Sequence, residues 1–125
     1  MKIVTLIARI LLGLMFVVFG LNKFLNFIHQ PMPTGLAGQF IGALFVSHYL
    51  LVIATLEVVT GALLLANRYV PLALTLLGPI VVNILLFHSF LEPSGVPMAL
   101  FVVVLWFVVF ASVRSAFSGI FAQQA

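Results

Sequence analysis

The chain contains no cysteine, and only two of its 125 residues are acidic, Glu57 and Glu92. The missing cysteines exclude disulfides, thiol redox chemistry, covalent c-type haem and thiolate-held iron–sulfur clusters. They say nothing of the compartment. Charged residues make up 6% of the chain and hydrophobic ones 65%, where a soluble domain carries about 25% charge. Two acids, five bases and a few amides cannot cover a soluble globule, so lipid must be the solvent for most of the surface. The five bases, Lys2, Arg9, Lys23, Arg68 and Arg114, are scattered along the chain. A nucleic-acid surface needs them clustered, so nucleic-acid binding is excluded. Also missing are a glycine-rich phosphate loop, a His-Glu-x-x-His metal motif and a serine nucleophile with a base. There is no sustained internal repeat.

What the chain does have is long apolar runs. A spanning helix takes roughly 20 apolar residues, so four spans with short turns use nearly the whole length as one transmembrane domain, residues 1–125. The expected spans are residues 3–21, 48–66, 70–90 and 96–113. The first run continues without a small-residue cleavage site and further spans follow it, which argues against a cleaved signal peptide. A polar break is expected at Asn22 and Lys23. Residues 29–35 hold two prolines and a glycine and should stop a helix. Thr34 is placed to cap a short helix over residues 35–46, too short to span and suited to an interfacial or re-entrant position. The expected fold is an all-α integral membrane four-helix bundle with that short helix between spans one and two. With the N-terminus inside, the inner loops hold Lys2, Arg9, Arg68 and Arg114, and the outer side holds Lys23 alone. The positive-inside rule then puts both termini in the cytoplasm.

Glu57 is the first candidate for chemistry. It lies about 16 Å from the turn at Arg68, near the middle of a hydrocarbon core about 30 Å thick. A carboxyl there is costly unless paired or protonated, so it serves either as interhelical glue or in function. Arg9 is its expected partner, and the two form the candidate catalytic pair. Arg9, Gly13, Phe16, Gly20 and Lys23 repeat at helical spacing on one face, as do Glu57, Gly61, Leu64 and Arg68. The glycines allow close helix approach. Asn83, four residues after Pro79, is the third buried polar candidate, for a ligand or an interhelical hydrogen bond. A second cluster is expected at the outer ends: Asn22 and Lys23, His48, and His88 with Glu92. His88 and Glu92 are four apart and can share a face. The histidines are otherwise ordinary interfacial side chains, and haem ligation by His48 and His88 is a weak signal. Asn22, Lys23, Asn83 and His88 are taken as ligand-binding candidates, and no metal site is assigned.

The order and spacing of these stretches resemble a known family. RILLGLMFVVFGLNK over residues 9–23 and LEVVTGALLL over residues 56–65 are similar to the first two spans of the DoxX family of small four-helix membrane proteins. PMP at residues 31–33, NRYVP at 67–71 and NILLFH at 83–88 resemble one DoxX-like subgroup. The resemblance implies a four-helix bundle in a bacterial cytoplasmic membrane. It also implies links to quinone-coupled sulfur oxidation, membrane oxidoreductase complexes, and resistance to catechols and quinones. The site residues above are read from burial and spacing, not from the family. The functional expectation is a redox-linked subunit whose bundle holds a quinone-like or other apolar ring ligand, working with a partner oxidoreductase subunit. The alternatives are a small proton-coupled transporter or ligand-binding accessory, for which so short a chain would form a homo-oligomer, and a structural assembly factor.

Overall fold

A computed structural model describes residues 2–26 and 32–123. It is all helical over those residues, with five α-helices: α1 (Lys2–Leu25), α2 (Gly35–Val46), α3 (Tyr49–Ala66), α4 (Val70–Phe90) and α5 (Val96–Ser112). α1, α3, α4 and the segment Pro93–Ser112, which contains α5, are long and apolar enough to cross a membrane. α2, at 12 residues, is not. The helices close a ring in which α1 packs on α3 and α5, and α4 packs on α3 and α5. α2 lies outside the ring against α3, with the Phe40 ring tilted against that of Phe87 of α4 at 5.7 Å between centroids.

The turns follow local chemistry. α3 ends at Asn67, whose φ of +56° lets its N–H and that of Arg68 reach back to the Leu64 and Leu63 carbonyls. Pro71 occupies the first turn of α4, where the missing N–H costs nothing. Thr34 does stand at the N-cap position of α2, but its side chain makes no capping bond there. Gly38 lets the chain fold over itself, since a methyl group on it would stand 2.2 Å from the Pro33 carbonyl oxygen. The rest of the breaker cluster, residues 29–31, lies outside the described residues.

One expectation fails at the end of span one. The helix does not break at Asn22 and Lys23 but runs on to Leu25, because Lys23 turns into the bundle instead of out to water. The buried core is continuous: Ala8, Leu12 and Phe16 of α1, Leu64 of α3, Leu74 and Leu77 of α4, and Val102 and Val109 of α5 form one cluster. Most large apolar side chains outside it face outward, as a lipid-solvated bundle requires. Thr60 is fully buried and is satisfied within its own helix, donating to the Leu56 carbonyl at 2.6 Å.

Candidate functional site

The glycines of α1 and α3 fix the register of the site. A methyl group on Gly13 would stand 2.9 Å from the Gly61 carbonyl oxygen, and one on Gly61 would stand 2.7 Å from the Gly13 carbonyl oxygen. The two backbones therefore meet directly at this level. Further along, Gly20 faces Ala54, Val58 and the Cβ of Glu57. Gly13, Phe16 and Gly20 are buried, as are Glu57, Gly61 and Leu64, so both predicted faces pack together as expected. Arg68 leaves its face because α3 stops two residues before it.

Glu57 is 3% exposed, and its partner is Lys23, not Arg9. The Lys23 ammonium stands 2.8 Å from Glu57 Oε1, an oxygen sealed from solvent. The contact lies off the favoured hydrogen-bond direction and holds by charge. Lys23 Nζ also lies 3.4 Å from the Phe19 carbonyl oxygen. Two physical facts defeat the expected Arg9 pairing. First, Glu57 is level with Gly20, and Arg9 is 11 residues earlier on α1, about 16 Å away along the axis. Second, side chains on a helix lean toward its N-terminus. Arg9 therefore leans away from Glu57, while Lys23, on the far side of Gly20, leans back toward it. The carboxyl, on an antiparallel helix, leans toward Lys23.

Arg9 has a different task. Its Nη1 donates to the Leu64 carbonyl, and the Leu65 carbonyl oxygen lies 3.4 Å away. These belong to the last turn of α3, where the Leu64 oxygen already accepts from the Asn67 N–H and offers its second lone pair to Arg9. A cation is also favoured at that negative helix end. Arg9 borders a cavity of about 510 Å³ at this end of the bundle, lined also by Lys2, Thr5, Asn67, Val108 and Ser112. The expected catalytic pair is thus divided between two places.

The remaining candidates also separate. Asn83 is not buried: it lies exposed on the flank of α4, with its amide donating to the Pro79 carbonyl at 2.8 Å. It borders a second cavity, of about 260 Å³, with Phe40, Leu86, Phe87, Phe90 and Leu91. His88 Nδ1 meets the Glu92 backbone oxygen at 3.2 Å, not the carboxylate. The helix ends at Phe90, so the expected i, i+4 face is lost. The Glu92 carboxylate instead accepts from Ser94 Oγ at 3.1 Å. His48 is exposed at the start of α3 with a φ of +64°. Among the described residues no three His, Cys, Asp or Glu side chains converge as metal ligands. Sequence reasoning missed Thr5, Asn67 and Phe40. Thr5 was detectable, since Lys2, Thr5 and Arg9 stand three and four residues apart, extending the face of Gly13 and Gly20.

No curated protein and no solved structure matches the chain. The DoxX family model matches residues 4–89, which takes in the glycine-lined faces of α1 and α3, the Lys23–Glu57 pair and nearly all of α4. This multi-pass membrane protein belongs to the DoxX family.

Proposed function

We propose that the protein is the membrane subunit of a quinone-linked oxidoreductase, holding a quinone-like ring in the cleft between α2 and α4. The observation that carries this reading is the make-up of that cleft. Phe40, Phe87 and Phe90 supply aromatic faces, Leu86 and Leu91 aliphatic walls, and Asn83 is the one polar lining side chain. Small-ligand sites are mostly apolar, with a few placed polar groups. Asn83 spends one amide hydrogen on Pro79 and keeps its second hydrogen and its oxygen without a partner among the described residues. That amide is fitted to hold a quinone carbonyl oxygen. Reducing a quinone to its hydroquinone takes two electrons and two protons. With no cysteine to hold a cluster, electrons come from a partner oxidoreductase subunit. The Lys23–Glu57 pair is the bundle's proton-holding group.

The test is purification in mild detergent followed by mass spectrometry of the extracted lipid. Isoprenoid quinone should co-purify, and Asn83→Leu should lower its amount several-fold. If no quinone is present, and a short-tailed naphthoquinone added to the protein leaves its melting temperature unchanged, the reading fails.

A second reading, a small proton-coupled transporter, is favoured by one observation: Glu57 is buried at the middle of α3, held there by Lys23 from the end of α1. Reconstituted vesicles that move protons only with an added substrate, and lose this in Glu57→Gln, would select it.

The membrane is read as a bacterial cytoplasmic membrane, with both termini in the cytoplasm. Lys2, Arg9, Arg68 and Arg114 mark one end of the bundle. Lys23, the one base toward the other end, is neutralised by Glu57, so the charge asymmetry is sharper than a plain count gives. Reporter fusions at the two ends should both report cytoplasm. Single cysteines at Thr34 and Ser47 should both label from outside.

A further inference from the structure

We propose that the cavity beside Arg9 is a binding site for a phosphate group carried by an anionic membrane lipid. It lies at the other end of the bundle from the α2–α4 cleft and does not depend on the quinone reading. α1 contributes Lys2, Thr5 and Arg9, the α3–α4 turn contributes Asn67, and α5 contributes Val108 and Ser112. At about 510 Å³ the cavity has room for a phosphate with its glycerol linkage.

Its donors are unspent. Arg9 uses Nη1 on the α3 carbonyls, while its Nε and Nη2 have no hydrogen-bond partner among the described residues. The Thr5 hydroxyl, the Asn67 amide and the Lys2 ammonium have none either. Ser112 alone is committed, donating to the Val109 carbonyl at 2.6 Å. No acid lines the cavity. Glu57 is about 16 Å away along the axis and bound to Lys23. Glu92 follows the other end of α4. A half-buried guanidinium without a counter-ion is costly in a low-dielectric setting. The group that removes this cost must be an anion that accepts several hydrogen bonds, and phosphate oxygens match the guanidinium fork.

The surroundings point to a lipid as the carrier. Leu6, which lines the cavity, is 46% exposed on the outer surface of the bundle, as is its neighbour Ile3 at 71%. Acyl chains have an apolar track leading away from the cationic end. Basic pockets between spanning helices are suited to anionic headgroups. A zwitterionic choline headgroup would place its own cation beside Lys2 and Arg9 and be disfavoured.

The test is native mass spectrometry of the full chain in detergent, titrated with phosphatidylglycerol or with phosphatidylcholine of the same acyl chains. Wild type should prefer phosphatidylglycerol by about ten-fold or more, the worth of a net negative headgroup beside two bases. Arg9→Gln should abolish the preference and Lys2→Gln should reduce it. Thr5→Val tests the site without touching a charge or the α3 carbonyls, and should weaken phosphatidylglycerol binding while leaving phosphatidylcholine unchanged. Competition with inorganic phosphate separates the two sources of the same chemistry. Displacement of lipid only at concentrations far above cellular phosphate supports the lipid. Displacement at low millimolar phosphate overturns the lipid assignment in favour of a soluble phosphate. Equal binding of the two lipids by wild type, or a preference that survives in both Arg9→Gln and Thr5→Val, overturns the site itself.

Discussion

The α1–α3 and α4–α5 seams of this bundle are built by opposite means. Along α1–α3 the contact is backbone on backbone at Gly13 and Gly61, and the charged pair Lys23–Glu57 closes it toward one end. Along α4–α5 the contact is made by side chains. Leu74, Leu77 and Val81 meet Val102, Leu105 and Val109, and Trp106 stacks on Phe110 at 5.3 Å while donating its indole N–H to the Leu74 carbonyl at 3.1 Å. Membrane helices gain little from hydrophobic burial against each other, because lipid is as apolar as leucine. Close approach and polar contact are then what hold two helices in one register. The α1–α3 seam has both and fixes the site. The α4–α5 seam has one polar contact, the Trp106–Leu74 hydrogen bond, and otherwise fills volume.

The largest expected effect comes from removing Lys23. Lys23→Leu leaves the Glu57 carboxyl buried without its counter-ion and should cost about 3–5 kcal/mol in a detergent melt. Glu57→Gln should cost less, since it leaves no charge buried on α3 and the partly exposed Lys23 can turn toward water. A double-mutant cycle sharpens the contrast between partners. Lys23 and Glu57 should show a coupling energy of about 1 kcal/mol or more, and Arg9 and Glu57 a coupling near zero. Coupling between Arg9 and Glu57 instead would return the pair to the register expected from sequence and break the account of this seam.

Gly61→Ala comes next. The added methyl would meet the Gly13 carbonyl at 2.7 Å and the Val17 backbone nitrogen at 2.9 Å. Neither belongs to a movable side chain, so the helices must separate, at about 1–3 kcal/mol. The variant should also weaken the Lys23–Glu57 coupling, because that pair depends on the same register. Trp106→Phe, on the other seam, keeps a ring over α4 and loses one hydrogen bond. Its expected cost is about 0.5–1.5 kcal/mol by thermal melt, with the Lys23–Glu57 coupling unchanged.

Most of the fold was legible from apolar run length, because a lipid-solvated helix must be long and uninterrupted. The bounds of α2 and α4 and the pairing of the two glycine faces followed from the same pattern. The site was legible only in part. Residue spacing identified Glu57 as buried and put Arg9 and Lys23 on the right face. It did not say which of them meets Glu57, because that depends on the axial register between two helices and on the direction in which each side chain leans. Asn83 shows the converse limit. An amide among apolar residues reads as buried, yet it faces outward beside α2, because a short helix packed outside the ring leaves no periodicity that reveals which flank it covers. The His88–Glu92 spacing misled because α4 stops between the two residues, and a face argument holds only while the helix lasts.

The smallest expected effect is also the cleanest comparison of the two seams. Gly78 of α4 is a glycine in a spanning helix, like Gly61, and the sequence alone does not separate them. The structure does: outside its own helix, a methyl on Gly78 would meet nothing nearer than Trp106 Cζ2 at 3.9 Å, an ordinary van der Waals distance. Gly78→Ala should therefore shift stability by no more than about 0.5 kcal/mol, since the backbone freedom that alanine saves in a helix is offset by the crowding of its Cβ against the ring of Pro79. Measured beside Gly61→Ala in the same detergent, the same chemical change should be costly at one seam and neutral at the other. If Gly78→Ala costs as much as Gly61→Ala, the α4–α5 helices are also held at backbone distance, and the division of labour between the seams does not exist.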